Sequence, residues 1–209
     1  DDMVSRGLGD VYKRQSLMKL NRKERTMKDP FEHHGVGHLS ASTINLFIQQ
    51  PALCLMKIAG YQDSGSTAPA WRGTSVDRAV TKAAFEPKTS DDELIKLAHK
   101  VFDENHTSSI DVPDEEKVTK ERKAIVDYVR TGAKFYRSLK EMPESEQGKV
   151  VVRIGDIKTP FVGYYDLLYK DKVRDIKSVG RKVSTLATGA SRQASIYALG
   201  TGREPWICL

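Results

Sequence analysis

Apolar residues recur three and four positions apart along several stretches of the chain, which is the spacing of one helix face. The pattern predicts helices beginning after Ser40 or Ser42, at Pro51 and after Arg72-Gly73-Thr74, and helices over Ser90–Asn105, Asp114–Leu139 and Ala190–Leu199, the last ended by Gly200. Serine and proline suit these starts, because a hydroxyl accepts a bond from a first-turn N–H and proline has no N–H to leave unpaired. The expected core-facing residues are Ile44, Phe47 and Ile48, then Val76, Val80, Ala83 and Ala84, then Val118, Ile125, Val129 and Tyr136.

Aromatic and β-branched residues gather instead in short runs near the C-terminus, which is typical of strands. These runs predict strands over Lys149–Ile154, Phe161–Tyr169 and Val173–Lys177 and a further one from Trp206, with a loop over Met142–Gly148. The order of helices and strands indicates an α/β fold, a mixed central sheet flanked by helices.

The two middle strands form a predicted hairpin that brings charged residues together. With Lys170 and Asp171 as the loop, Asp166 lies opposite Asp175; with Asp171 and Lys172 as the loop, it lies opposite Lys177. Side chains alternate with period 2, so all three share a face in either register. Facing Cβ atoms are roughly 5 Å apart, so two carboxylates there repel unless a cation lies between them. The hairpin therefore predicts a divalent-metal site, with an ordinary exposed hairpin as the alternative.

Four motifs in order extend this pattern. GYYD (163–166) is followed after eight residues by DIK (175–177) and then by QASIY (193–197), while LSASTINLFIQQPALCLMKIAGY (39–61) and WRGTSVDRAV (71–80) stand upstream. Together they resemble the PD-(D/E)XK nuclease superfamily, in particular its RecB-like and phage exonuclease branch. The resemblance implies a restriction-endonuclease-like core and a metal-dependent DNA nuclease, with exonuclease action expected, in DNA recombination, repair or phage DNA processing.

The resemblance also assigns roles to individual residues. Asp166 and Asp175 are the main ligands of Mg²⁺ or Mn²⁺, hard cations that prefer oxygen, and Asp77 and the Ile176 carbonyl complete the shell. Asp77 has the alternative of a solvated helix residue. Lys177 orients or deprotonates the attacking water, and Gln193 positions water or phosphate. In the iron–sulfur relatives a cysteine precedes the proline that Gln50 precedes here, so no iron–sulfur cluster is expected.

DNA is the expected partner, and a helicase or recombination protein is a second one that the resemblance admits. Basic and polar residues around the last helix are expected to line a backbone groove; they are Arg181, Lys182, Arg192 and Gln193. Tyr197 is predicted either to contact DNA or to pack the helix on the sheet. Two other function classes stay open: a catalytically inactive nucleic-acid-binding module of the same fold, and a helical assembly protein, which would leave Asp166, Asp175 and Lys177 unexplained.

Composition adds limits rather than a function. The net charge is +6, but Ser5–Gln15 looks like a translated sequencing adapter, and residues 1–26 carry seven basic and four acidic side chains, so the remainder has a net charge of +3. We therefore expect a non-native lead at 1–26 and one nuclease domain at 27–209, incomplete at its C-terminus.

Cys54 and Cys208 lack metal-ligand spacing, and no apolar run has the roughly 18 residues of a membrane span. A cytoplasmic protein with reduced thiols and no membrane partner is expected.

Overall fold

A four-stranded sheet and the helices that pack against it carry Asp77, Asp166, Asp175, Ile176 and Gln193. The structure, a computed structural model, describes residues 30–61, 66–109, 114–179 and 185–208. The strands are neighbours in chain order, β1 (Ser145–Val152), β2 (Phe161–Leu168), β3 (Lys172–Ile176) and β4 (Glu204–Cys208). β2 is antiparallel to both of its neighbours, whereas β3 and β4 are parallel. The predicted α/β class with a mixed sheet is therefore confirmed.

The helices begin where local chemistry favours a start. They are α1 (Pro30–His33), α2 (Ala41–Gln49), α3 (Pro51–Ile58), α4 (Ala68–Phe85), α5 (Asp91–Thr107), α6 (Glu115–Ser138) and α7 (Thr188–Thr201). The Ser40 hydroxyl accepts the Thr43 N–H at 3.1 Å and so caps α2. Ser90 and Glu93 form a reciprocal capping box on α5. Each such cap stabilises its helix by about 1 kcal/mol.

Helices α4, α5 and α6 share one apolar core. The predicted inward residues of α4 and α6 are buried, as are Leu94, Ala98 and Phe102 of α5. Trp71 meets Phe102 edge to face, with ring centroids 5.8 Å apart. Leu167 and Tyr169 pack into the same core. Because these two residues flank the end of β2, the core fixes the strand that carries Asp166.

Several predicted boundaries differ from those in the structure. Helix α4 begins at Ala68, with a proline in its first turn, so Arg72-Gly73-Thr74 lies inside the helix and Asp77 is well away from its N-terminus. Strand β1 begins at Ser145, within the stretch predicted as a loop. Helix α7 runs through Gly200 to Thr201. Gly202 caps its C-terminus, and the φ of 67° at Gly202 is left-handed and favours glycine.

Gly200 serves packing rather than termination. A Cβ added there would lie 2.6 Å from the Val150 Cβ, so α7 approaches β1 closely. This contact holds α7, which carries Gln193 and Tyr197, against the sheet.

The predicted core role of α2 and α3 is wrong for several of their large side chains. Phe47 is 53% exposed and Ile48 is 56% exposed, whereas Cys54 is buried. Helix α2 packs against α3 and α7, so only part of its surface is covered. The apolar stripe identified the helix correctly, but it did not specify which of its faces would be buried.

The chain divides into two compact units, Asp1–Gly37 and His38–Leu209. The first contains α1 among its described residues, and the second contains α2 to α7 and the whole sheet. The predicted domain bounds, 1–26 and 27–209, stay a prediction. The adapter-like segment lies outside the described residues. None of the described helices is both long enough and apolar enough to cross a membrane.

Candidate active site

The β2–β3 hairpin has the first of the two predicted registers. Leu168 pairs with Val173 and Leu167 with Arg174, and the Tyr169 N–H donates to the Lys172 carbonyl at 2.8 Å. Extending this register sets Asp166 opposite Asp175. The backbone pairing ends at that point, and the Ile176 N–H donates to Asp166 Oδ2 at 2.6 Å instead. The carboxylate of Asp166 thus accepts a hydrogen bond from a backbone N–H that, in a regular antiparallel pair of strands, would donate to a backbone carbonyl.

Asp175 is the most enclosed of the candidate acids, at 1% exposed. Its Oδ1 accepts a hydrogen bond from Gln193 Nε2 at 3.2 Å. Its Oδ2 forms an ion pair with Lys177 Nζ at 2.7 Å and accepts no hydrogen bond from the described residues. Lys177 is 37% exposed in its side chain and connects the buried acid to the surface.

Asp77 joins the site from α4 through a residue that was not predicted. Gln147 Nε2 donates to Asp77 Oδ2 at 3.0 Å and to Asp166 Oδ1 at 3.3 Å. Gln147 falls opposite Asp166 in the β1–β2 register. Its φ of 50° is the one positive value outside glycine in the described part of the chain. One amide group therefore bridges the two carboxylates.

The acids perturb one another because they are close together and partly shielded from water. Burial, followed by the charges of Asp77 and Asp175, raises the pKa of Asp166 to about 7. Burial chiefly raises the pKa of Asp77 to about 6, and the Asp175 charge adds to the effect. Burial also raises the pKa of Asp175, while Lys177 opposes the shift. Three carboxylates that resist ionising together are a favourable environment for a cation.

Helix α7 supplies the other side of the site. Gln193 Nε2 bonds to Tyr197 Oη at 2.6 Å as well as to Asp175, and the Tyr197 hydroxyl donates to the Tyr164 carbonyl. Tyr197 is 2% exposed and its hydroxyl bonds to β2, as the packing alternative expects, and its predicted DNA contact stays a prediction. Arg192 donates to Asn45 Oδ1 at 2.6 Å, which ties α7 to α2. Arg181 and Lys182 lie outside the described residues, and their DNA contacts stay a prediction.

An open cavity of about 580 Å³ adjoins these residues. The start of α2, strand β2 and α7 line it, and Lys177, Gln193 and Tyr164 are among its walls. A larger hollow of about 880 Å³ lies along α5 and contains none of the candidate residues. Of these two cavities, only the smaller one reaches Lys177 and Gln193.

The fit of a metal ion follows from the donors present. No three His, Cys, Asp or Glu side chains within the described residues form a ready-made metal-binding group. The carboxylates are instead held by hydrogen bonds from Gln147, Ile176 and Gln193 and by the ionic contact with Lys177. Mg²⁺ needs only one or two carboxylates together with water and substrate phosphate. Asp175 Oδ2, buried without a hydrogen bond, and the bridged Asp77 and Asp166 oxygens therefore suit a hard divalent cation.

The sequence carries only a weak signal for the role of Gln147. The residue lies in Met142–Gly148, a mostly polar stretch for which the sequence predicts a loop. Only the pairing of β1 with β2 brings this side chain to Asp166. The Ile176 N–H was likewise not expected to hold Asp166, because the resemblance assigns the Ile176 carbonyl.

Comparison of the chain with models of known protein families, with curated proteins and with solved structures finds no match. The geometry of this site and the sequence motifs are therefore the basis for inferring a function.

Proposed function

We propose that this chain is a metal-dependent deoxyribonuclease of the PD-(D/E)XK type, with a restriction-endonuclease-like core. It would hydrolyse phosphodiester bonds, as an exonuclease, in DNA recombination, repair or phage DNA processing. The observation that carries the proposal is the 2.7 Å contact between Lys177 Nζ and the buried Asp175, beside two further acids whose pKa values are raised. An ordinary exposed hairpin would have no reason to bury a carboxylate in this way.

The proposed cofactor is Mg²⁺ or Mn²⁺. Asp166 and Asp175 would hold it, with Asp77 and the Ile176 carbonyl as further oxygen donors. A bound divalent ion of this kind lowers the pKa of its water and neutralises charge on the scissile phosphate. Oxygen donors are also the reason to prefer these ions over zinc, whose protein sites usually include histidine or cysteine ligands.

Lys177 and Gln193 would act on the water and the phosphate. Lys177 Nζ carries donors at the edge of the cavity, where it can orient the attacking water and stabilise the phosphate oxygens as their charge increases. Gln193 already donates to Asp175, so it would fix the carboxylate and share the positioning of water or phosphate. Tyr197 supports Gln193 from within α7.

DNA is the proposed substrate because a phosphodiester carries the charge that this site is built to neutralise. The mild basic balance of the chain is compatible with a polyanion. A helicase or recombination protein as a further partner rests on the resemblance alone.

A second candidate is a nucleic-acid-binding module of the same fold with an inactive site. The observation that favours it is the set of protein donors that occupies the carboxylate oxygens of Asp77 and Asp166. If those bonds outcompete a cation, the protein would bind DNA without cleaving it. The two candidates therefore differ in one measurable property, cleavage on addition of metal.

Incubation of end-labelled linear DNA with Mg²⁺ or Mn²⁺, with and without chelator, tests the proposal. We expect cleavage that the chelator abolishes and that Asp175→Asn removes. Asp171→Asn is the matched control, because Asp171 is an exposed acid in the turn of the same hairpin. Closed circular DNA should resist, since an exonuclease needs an end. DNA binding with no metal-dependent cleavage would favour the inactive module.

A further inference from the structure

The two residues that follow Lys177 are held by side chains from two helices. Arg72 Nη2 of α4 donates to the Ser178 carbonyl at 3.1 Å, and the Tyr128 hydroxyl of α6 donates to the Val179 carbonyl at 2.6 Å. The Arg72 guanidinium also lies over the Tyr128 ring, 4.8 Å from its centroid. We call Arg72 and Tyr128 the backbone clamp.

The clamp is rigid because its own parts are fixed. Arg72 is 8% exposed and forms an ion pair with Glu121 of α6, whose side chain is 16% exposed. A guanidinium that meets a carboxylate, a ring and a carbonyl at once has few other orientations available. Helix α4 runs close by, since a Cβ added to Gly73 would lie 3.7 Å from Ser178 Oγ.

Lys177 needs such support. Its side chain has four rotatable bonds, and its Nζ must stay on Asp175 while the main chain leaves β3. The Lys177 N–H donates to the Cys208 carbonyl of β4 at 2.8 Å, which fixes the residue on one side. The backbone clamp fixes the next two carbonyls, so the main chain is held on both sides of the lysine.

We infer that Arg72 and Tyr128 are positioning residues that hold Lys177 in its reactive geometry. This inference deepens the proposed nuclease function and rests on it. The bonds that Arg72 and Tyr128 form go to the Ser178–Val179 backbone and not to the three acids, so they act through that backbone. A displacement of about 1 Å at a reacting group can lower a rate by about 10²-fold, so loosening this backbone should reduce kcat while substrate and metal still bind.

Tyr128→Phe is the mildest test, because it removes the hydroxyl and keeps the ring beneath Arg72. Tyr136→Phe is its matched control: Tyr136 is buried on the same helix, and its hydroxyl lies beside Cys208 rather than the clamped segment. Arg72→Ala combined with Glu121→Ala removes the other contact without leaving one buried charge unpaired.

Hydrogen exchange of the Lys177 amide and trypsin cleavage of the Lys177–Ser178 bond measure the clamp itself, with no metal or DNA present. We expect about tenfold faster exchange and faster cleavage in Tyr128→Phe and in the double variant, with Tyr136→Phe like the wild type. In steady-state cleavage of DNA, kcat should fall about tenfold or more while KM and Mn²⁺ affinity stay unchanged.

The outcomes separate the two proposals. Unaltered exchange at Lys177 in both variants would overturn the clamp, and faster exchange with unchanged kcat would overturn its positioning role. A wild-type protein that cleaves no DNA with any divalent ion would contradict the nuclease function and with it the positioning role, while the exchange result would still decide whether the clamp holds the segment.

Discussion

Gln147 lies across from Asp166 in the β1–β2 register, and its side-chain amide donates to both Asp166 and Asp77. The amide lies where two carboxylates meet, the position in which a cation would best relieve their repulsion. Its left-handed backbone, with a φ of 50°, costs a non-glycine residue about 1–2 kcal/mol. Sparsely populated backbone conformations of this kind cluster at functional sites.

Gln147→Leu should therefore destabilise the metal-free protein, by about 1–2 kcal/mol, because two acids lose their shared donor. Saturating Mn²⁺ should narrow the difference, since the ion replaces the lost N–H. Urea unfolding at pH 8 with and without Mn²⁺ measures both effects. Glu146→Leu is the control on the same exposed stretch of β1. An equal loss of stability in both conditions would show that Gln147 does not compensate for a missing cation.

Lys177→Ala separates catalysis from metal binding. We expect single-turnover cleavage of labelled DNA to fall by about 10²- to 10⁴-fold, the range for losing an acid–base or charge-stabilising group. Mn²⁺ affinity should persist or increase, because a competing cation has been removed from Asp175. Lys172→Ala, which removes a lysine paired with Asp171 in the hairpin turn, should have little effect. Near-normal cleavage by Lys177→Ala would refute the role given to this lysine.

The stability of the metal-free protein should fall as pH rises between about 4 and about 7. Folding raises the pKa of Asp166 from its usual 3.8 to about 7, so the native state holds a proton that the unfolded state has already released over this interval. The stabilisation is complete below about pH 4 and is lost as pH approaches the folded value. Asp77, with its pKa raised to about 6, contributes in the same direction.

Asp166→Asn provides the check, because it removes the titration and keeps an oxygen for the Ile176 N–H. Urea unfolding should show a flatter pH profile than that of the wild type, and higher stability than the wild type at about pH 8. If the wild type instead gained stability from about pH 4 to about pH 7, folding would not raise the pKa values of Asp166 and Asp77.

Two helical glycines should respond in opposite directions to alanine. Gly200→Ala should destabilise the protein by about 1–3 kcal/mol, because the new methyl group overlaps Val150. Gly73→Ala should stabilise it by about 0.5–1 kcal/mol, because its Cβ meets Ser178 Oγ at an ordinary 3.7 Å and alanine favours the helix. Thermal unfolding of both variants measures these changes in stability. A destabilised Gly73→Ala protein would mean that α4 packs more tightly on Ser178 than described.

Local patterns in the sequence determined the elements and narrowed one decisive pairing to two registers. Alternation and turn chemistry predicted the β2–β3 hairpin and placed Asp166, Asp175 and Lys177 on one face, because a two-residue loop leaves few ways to pair two strands. Only the structure chose the register that sets Asp166 opposite Asp175. The inward residues of α6 followed from their spacing, because a helix of 24 residues repeats its apolar pattern many times. The motif order also predicted Asp77 as a metal ligand.

Tertiary structure alone decided which groups meet those residues. The exposure of Phe47 and Ile48 depends on what packs against α2, which the stripe itself does not encode. The bridge made by Gln147, and the hold of Arg72 and Tyr128 on the segment after Lys177, join residues that are 19 to 106 positions apart. Such contacts arise when strands pair and helices dock on one another, because sequence periodicity describes one element at a time and carries no information about the neighbour it will meet.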